Sequence, residues 1–482
     1  MAATTRAGAD GSNVTEPIPT EVWRIAGVVV FGAVMSMLDS SLVNVGLQTI
    51  TNRLDTDLGT AQGIVSGYLV ALAIALPVCG WLGRRFGPRR VWLCALSIFT
   101  FSSGLCAVAP NVGFLIAARI LQGLSGGLLM PTGQAILGQV AGPKRIGRVM
   151  SMVGIAVVAA PAIGPAIGGL TISIASWRWL FAINLPVGLI ALTLGLRRLP
   201  RGQPNTPSTI DAAGFVIAAL GLGLGIYGLS AVSTIKSMSN VSVWACLAAS
   251  LAAIVVFTVR SLRRTDPLLN MRMFRSPVFA TANAANLLTG ISMFGLTTLQ
   301  PLCFQLLYGD APGRTGLLLL VYGLGALVAL PLGGRVTDRF GGGIVSMTGC
   351  VLLIGSTVPF VFTGASVDLI VIEILLFIRG IAVGLTGMPL VSAAYAAVER
   401  SQMPDAAAFV NIMKRIGGAI GVALVAVVLY RAKMTGAPVS TGFAHAFTWM
   451  TAVTAASLIA STLLWWREKA LSADDDSNAT RA

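Results

Sequence analysis

The chain has 482 residues, of which 55% are hydrophobic and only 11% are charged, and its mean hydropathy is +0.83. Soluble proteins carry about a quarter charged residues, so this composition excludes a soluble globular protein and indicates an integral membrane protein. The formal net charge of +15 would suggest a nucleic-acid partner in a soluble protein. Here the basic residues lie between apolar runs, so we expect no nucleic-acid partner.

Fourteen apolar runs follow one another along the chain, each of about twenty residues and long enough to cross a bilayer. We predict one transmembrane helix for each run, at residues 25–47, 62–82, 91–109, 114–133, 148–171, 179–196, 211–232, 241–262, 277–299, 313–336, 344–362, 368–395, 406–430 and 443–466. An even number of spans places both termini on one side of the membrane. That side carries 23 of the 33 Lys and Arg residues and the opposite side six. The positive-inside rule then predicts cytoplasmic termini, and we expect a multi-pass protein of the plasma (inner) membrane.

The first predicted helix contains a carboxylate, Asp39, in the stretch LDSSLVNVGL. A carboxylate at membrane depth is costly and usually faces a wet cavity or a partner group, so it indicates proton or cation handling. The alternative is a structural aspartate bonded to nearby serine or asparagine groups. Asn44, in the same stretch, is a second candidate for the cavity.

The turn after the second run has a near copy in the second half of the chain. PVCGWLGRRFG, which ends at Gly87, returns 254 residues later as PLGGRVTDRFG, which ends at Gly341. A repeat on this scale indicates two related halves, and duplicated transporters place their substrate between the halves. The candidate gating residues of these two turns are Gly80, Arg84, Arg85, Gly87 and Arg89, followed by Gly334, Asp338, Arg339 and Gly341.

The fourth run contains a buried cation, Arg119, with Gln122 and Gly123 three and four residues further along one helix face. An arginine at this depth needs acceptors, either in a cavity or in a structural contact between helices. Arg379, in LLFIRGIAVGLTGMP, is predicted to occupy the matching place in the second half, because both stretches continue into Gly and end in Met-Pro.

The fifth run, GIAVVAAPAIGPAIGG, combines small residues with prolines. Ala160, Gly164 and Gly168 recur every four residues and predict close packing, with Gly169 beside them. Pro161 and Pro165 each remove a backbone hydrogen-bond donor. The pattern predicts a bendable helix that forms a mobile seam between helix bundles, with ordinary close packing as the alternative.

Three further charges lie in the later runs. Glu373 is near the outer end of its run, so it faces either the cavity or the interface, and helix geometry turns it largely away from Arg379. Lys414 and Arg415 are expected to lie just inside the cytoplasmic boundary and to extend their charged ends towards it.

The residues favour neither a metal site nor an enzyme. The six cysteines show no CxxC spacing, and there is a single histidine, so we expect no bound metal and no cofactor. Clustered catalytic residues and phosphate loops are also missing from the sequence, which therefore predicts a protein that is not an enzyme.

In combination, these motifs resemble those of the major facilitator superfamily, in its fourteen-helix drug:proton antiporter branch. The duplicated turn is similar to the family's signature after the second helix, LDSSLVNVGL to its first-helix motif and RILQGLSGG to its helix-four motif. GPAIGG is similar to the antiporter motif of helix five, and SWRWLFAINLPVG is a further hallmark of the branch. The resemblance covers about residues 25–466.

The resemblance implies an all-α integral membrane protein with the major facilitator fold, in which two six-helix bundles are joined by two inserted helices. The predicted segments are a cytoplasmic tail (1–22), the N-terminal bundle (23–198), the inserted pair (199–264), the C-terminal bundle (265–466) and a second cytoplasmic tail (467–482). We expect a monomer in the lipid bilayer.

The implied function is export of small hydrophobic or cationic compounds, such as drugs or antibiotics, in exchange for protons by alternating access. The proton gradient is then the energy source. The alternative is a passive facilitator, or an exporter of an endogenous metabolite without proton coupling. One departure from the family pattern has a structural consequence: Arg84 stands where the family usually has an Asp. We therefore expect only the second turn, through Asp338, to help hold the cytoplasmic side shut.

Overall fold

The structure is a computed structural model that describes residues 18–142, 145–201, 211–232, 241–310, 312–362 and 368–479. The described residues are helical almost throughout and contain no β-strand. The α-helices are α1 (Thr20–Arg53), α2 (Leu58–Phe86), α3 (Pro88–Ala107), α4 (Val112–Ala141), α5 (Ile146–Ile174), α6 (Trp179–Ala182), α7 (Asn184–Arg198), α8 (Ala212–Val232), α9 (Val241–Arg263), α10 (Pro277–Leu306), α11 (Pro312–Phe340), α12 (Gly342–Thr357), α13 (Pro359–Phe362), α14 (Leu369–Ala396), α15 (Met403–Met434) and α16 (Val439–Ala479).

Each of the fourteen predicted runs falls on these helices. Thirteen helical stretches in the described part of the chain are long and apolar enough to cross a membrane, and the fifth run lies within α5. Most helices begin earlier or end later than predicted, because backbone hydrogen bonding continues into the polar residues at each end. The last helix, for example, continues from the predicted end at 466 to Ala479.

Two of the predicted spans are broken near a proline. The sixth consists of α6 and α7, and Pro186 in the first turn of α7 has no N–H to donate to the carbonyl of Ala182. The eleventh consists of α12 and α13, and α13 begins at Pro359 for the same reason. The apolar pattern runs through both sites and so could not reveal the breaks.

The internal repeat is visible in the two turns. Gly87 and Gly341 both have a positive φ, of 83° and 90°, which a residue with a β-carbon adopts only with strain. Each glycine ends one long helix and directly precedes the next, α3 or α12. The end of the molecule that carries these two turns is called the basic end below, and the opposite end is called the far end.

Among the described residues, the apolar core joins the two halves at the basic end. The largest buried cluster combines residues such as Cys79 and Met150 of the first half with Tyr395 and Phe409 of the second. At the far end, each half has its own buried apolar cluster. The first half has one around Phe181, and the second half has one around Phe447. The halves are therefore packed together at the basic end and separate towards the far end.

The inserted helices α8 and α9 lie beside the seam between the halves, within the predicted segment 199–264. α8 packs against α2 of the first half and α15 of the second. Asp211 precedes α8, accepts a hydrogen bond from the Gly214 N–H, and pairs with Arg260 at 2.9 Å and Arg264 at 2.6 Å. Burial alone would raise the pKa of the Asp211 carboxyl, but the hydrogen bonds and the two cations hold that pKa below its usual range.

Candidate functional site

Asp39 lies in the interior of the N-terminal half, past the middle of α1, and its side chain is fully buried. Its Oδ2 accepts a hydrogen bond from Arg119 Nη1 at 2.5 Å. Its Oδ1 accepts hydrogen bonds from Gln122 Nε2 at 3.0 Å and from Asn184 Nδ2 at 2.8 Å. The carboxylate is thus held by donors from two other helices, α4 and α7, and by a cation.

Arg119 is as deeply buried as its partner, with 1% of its side chain exposed. Its Nη1 also donates to Gln122 Oε1 at 2.6 Å, and its Nε donates to the Ile64 carbonyl at 3.2 Å. The guanidinium carbon lies 4.1 Å from the centre of the Tyr68 ring, a cation–π distance. Breaking such a pair leaves an uncompensated buried charge, so its two members are expected to change state together.

Two members of this network carry no signal in the sequence analysis. The first is Asn184, a polar residue in the motif SWRWLFAINLPVG, which is otherwise notable for its aromatic groups. The second is Ser103, whose hydroxyl oxygen accepts hydrogen bonds from Gln122 Nε2 at 2.7 Å and from Asn184 Nδ2 at 3.4 Å. The candidate Asn44, by contrast, is exposed. Asn44 follows Asp39 by five residues, so the helix turns its side chain about 140° away from that of Asp39. This rotation explains why Asn44 does not join the network.

Arg379 does not occupy the place that matches Arg119, and this prediction was wrong. A β-carbon at Gly123 would overlap the carbonyl oxygen of Tyr68, and one at Gly380 would overlap that of Tyr322, its counterpart in the repeat. These close approaches fix the register of α4 against α14. Arg379, which precedes Gly380, therefore corresponds to Gln122. The place of Arg119, four residues before the glycine, is taken by Leu376. The spacing to the shared Met-Pro ending also disagrees with the predicted match, because Met130 follows Arg119 by 11 residues and Met388 follows Arg379 by 9.

Arg379 is nevertheless buried, with 3% of its residue surface exposed. It donates to Gln300 Oε1, to the Ser356 carbonyl at 2.8 Å and to Thr357 Oγ1 at 3.4 Å, and it lies over the Phe360 ring. Its partners are neutral acceptors, whereas the partner of Arg119 is a carboxylate.

The other predicted charges lie apart from these two sites. Glu373 is half-buried and forms no hydrogen bond or ion pair with any residue that the structure describes, so it is not the counter-ion of Arg379. Lys414 and Arg415 are half-buried about 16 Å along α15 from its start. Arg415 lies near Tyr68, and both residues lie deeper than the boundary position expected for them.

The small residues of α5 pack against α1. Gly164 faces Ser41 and Leu38, Gly168 faces Leu42 and Val45, and Ala160 is buried. Gly169 has open space beside it. The side chains of Pro161 and Pro165 lie outside the described residues. The small-residue pattern thus brings α5 close to α1, while the start of α5 contacts the second half.

Arg84 bridges the two halves at the basic end. Its Nη1 donates to Asp405 Oδ1 at the start of α15, and its Nη2 donates to the carbonyls of Pro267 (2.9 Å) and Leu268 (3.3 Å). The expectation that the first turn lacks a latch is therefore wrong. An arginine would be repelled by a helix N-terminus, but an acidic residue in the first turn of α15 reverses the sign of that site.

Asp338 forms the second bridge, as predicted for this turn. Its Oδ1 accepts from the Gly147 N–H at 2.7 Å and its Oδ2 from Arg148 Nε at 2.6 Å, both at the start of α5. The carboxylate therefore uses the helix N-terminus and a cation together.

Within the described part of the chain, the remaining basic residues of the turns form no bridge between the halves. Arg89 donates to the Leu196 carbonyl within the first half, Arg339 lies over Phe340, and Arg85 is half-buried. The flanking glycines allow the bridges to form, because Gly80 faces Asp405 and Gly334 faces Ser151.

Comparison with known proteins agrees with this architecture. The family model described as the Major Facilitator Superfamily matches residues 29–422. Over 414 residues, 84% of this chain and 76% of the relative, the chain is 36% identical to the multidrug resistance protein B homolog of Mycobacterium tuberculosis. The structure is similar to the human organic anion transporter MFSD10, with a TM-score of 0.66 at 16% identity over 91% of this chain and 100% of that one. It is also similar to the proton:xylose symporter XylE, with a TM-score of 0.63 at 14% identity over 92% and 95%. At these identities the two structures show the fold alone.

These findings define a multi-pass membrane transporter with two six-helix bundles and an inserted pair of helices. The chain belongs to the Major Facilitator Superfamily. It is therefore a transporter and not an enzyme, as the sequence predicts.

Proposed function

We propose that this chain is a proton-coupled antiporter that exports small drug-like compounds across the plasma membrane. Its similarity to a relative named for multidrug resistance supports efflux of such compounds. The observation that carries the coupling is the Asp39 network: a fully buried carboxylate in the interior of α1, bonded to a single cation and two amide donors.

Protonation of Asp39 would remove the charge that holds Arg119 Nη1. The arginine would then be left as an unpaired cation in the membrane interior, which is costly and drives rearrangement. A proton that enters down the membrane potential supplies about 2.3 kcal/mol per 100 mV, in addition to any pH gradient. Coupling therefore requires that Asp39 meet water on one side when charged and on the other when neutral.

The distribution of basic residues supports a cytoplasmic basic end with both termini on that side. The structure is closed by two bridges at that end, Arg84–Asp405 and Asp338–Arg148. Alternating access then consists of opening these bridges while the separate far-end cores approach each other.

The test uses cells with and without the gene, exposed to a panel of antibiotics and dyes. Compounds that become less toxic are then measured in inside-out vesicles, where an acidic lumen corresponds to the normal driving force. We expect accumulation that a protonophore abolishes. Accumulation only to equilibrium, unchanged by the protonophore, would identify the passive facilitator instead.

A further inference from the structure

A cavity of about 180 Å³ lies inside the C-terminal half, between α10, α11, α12 and α14. Most of its lining is apolar, from residues such as Leu296, Leu353 and Leu376, and its polar groups include Gln300 and Arg379. An apolar cavity of about 150 Å³ is enough to bind benzene. The cavity is therefore large enough for a compound with one ring.

Two residues that line this cavity each have a buried, unused hydrogen-bond donor. Arg379 and Gln300 are 3% and 2% exposed, and the guanidinium donates to the amide oxygen. Arg379 Nε and Gln300 Nε2 have no partner within the described part of the chain. Leaving a buried donor unpaired destabilises the protein, so a ligand that pairs with it is favoured. Both unused atoms are donors, so a ligand that satisfies them must supply acceptors.

The charge around the cavity points the same way. Arg119 has a carboxylate partner, but no described carboxylate lies within ion-pair distance of Arg379. Arg379 is therefore a cation in the cavity lining with no carboxylate among the described residues to balance it, which favours an anion and repels a cation.

We infer that this cavity binds a lipophilic monoanion, a single apolar ring that carries a carboxylate or a comparable acidic group. The ring occupies the leucine-lined volume, and its acidic group accepts hydrogen bonds from Arg379 and Gln300. A planar guanidinium suits a carboxylate because two donors can meet its two oxygens. The inference rests on the proposed transport function and narrows its substrate class from hydrophobic or cationic compounds to hydrophobic acids.

The test is equilibrium dialysis of radiolabelled benzoate against the purified full-length protein in detergent near neutral pH. Benzyl alcohol and benzylamine have the same ring with a neutral and a cationic group. We expect benzoate to bind about tenfold or more tightly than either, and Arg379→Gln to lose that difference. Arg431→Gln is the matched control, because it removes one cation from the exposed end of α15, and it should leave benzoate binding unchanged.

Gln300→Glu keeps an oxygen that accepts from Arg379, removes the Nε2 donor and adds a negative charge, so it should weaken benzoate binding without changing the binding of benzyl alcohol. It also serves as the decisive variant if Arg379→Gln does not fold. Tighter binding of benzylamine than of benzoate to the native protein would overturn the inference, as would benzoate binding that Gln300→Glu leaves unchanged.

Binding in detergent involves no gradient, so its outcome is independent of proton coupling. Drug export that depends on the pH gradient, without benzoate binding, would overturn the substrate class and leave the antiporter in place. Benzoate binding without gradient-driven export of any compound would support the cavity and contradict the proposed function.

Discussion

Arg84 and Asp338 occupy equivalent positions in the internal repeat, carry opposite charges, and each pairs with an opposite charge in the other half of the chain. Their partners are equivalent too, because Asp405 and Arg148 are both the third residue of their helices, α15 and α5. The two bridges are the same contact with its signs reversed. Two ion pairs therefore hold the basic end closed.

We predict that Arg84→Ala and Asp338→Asn open the basic end to a similar extent. Each removes the charge from one partly buried ion pair, which contributes about 1–2 kcal/mol to the closed state, and Arg84→Ala also removes the hydrogen bonds to the Pro267 and Leu268 carbonyls. Native Cys79 reports on opening, because it is fully buried beside Gly80, which faces Asp405. With the other five cysteines replaced, its reaction with a membrane-impermeant maleimide should accelerate about 5- to 30-fold in either variant. A large acceleration in Asp338→Asn alone would restore the asymmetric latch expected from the sequence.

A charge exchange tests the first bridge more directly. We expect Arg84→Asp alone to open the basic end more than Arg84→Ala does, because two buried carboxylates then face each other. Combining Arg84→Asp with Asp405→Arg should return Cys79 labelling part of the way towards the native rate. Recovery stays incomplete because Arg84 also donates to the Pro267 and Leu268 carbonyls. Additive opening by the two substitutions would mean that the pair does not couple.

Asn184 and Asn44 form a matched pair for the Asp39 network. Asn184→Leu removes the donor at 2.8 Å from Asp39 Oδ1 and leaves a buried charge with fewer hydrogen bonds, which destabilises the charged form. We predict that the rate of drug export falls in Asn184→Leu, because the Asp39–Arg119 pair loses one of the donors that hold it in place. Asn44→Leu, on an exposed part of α1, should leave the rate unchanged. An equal loss in both variants would show that the effect is not specific to the network.

The sequence was sufficient for the fold and for part of the site. Apolar length located every membrane helix, and the cost of burying charge singled out Asp39 and Arg119. The sequence could not show that Arg84 pairs with Asp405, because the two residues lie 321 positions apart. The first turn was interpreted from its own charges alone. Asn184 was missed because a single amide has no periodic pattern. The register of Arg379 was missed because the shared glycine and Met-Pro ending were compared without their spacing, which is 11 residues from Arg119 to Met130 and 9 from Arg379 to Met388.

The contact between α5 and α1 gives a further prediction. A β-carbon at Gly164 would overlap the Ser41 side chain, whereas one at Gly169 meets open space. Gly164→Leu should therefore force the two helices apart, lower the thermal unfolding temperature in detergent and abolish drug export. Gly169→Leu adds the same side chain and should be tolerated. Similar losses in both variants would mean that the position of the glycine relative to α1 does not matter.

The most direct test of the account is proton movement through Asp39. Purified protein is reconstituted into liposomes that contain a pH-sensitive dye, and proton flux is recorded when an exported compound is added against its own gradient. The native protein and Asp211→Asn, which removes a carboxylate near the basic end, should both exchange protons for the compound. Asp39→Glu should retain part of this flux. Asp39→Asn should bind the compound and lose the coupled proton flux, whereas native proton exchange in Asp39→Asn would contradict the assignment of Asp39 as the coupling carboxylate.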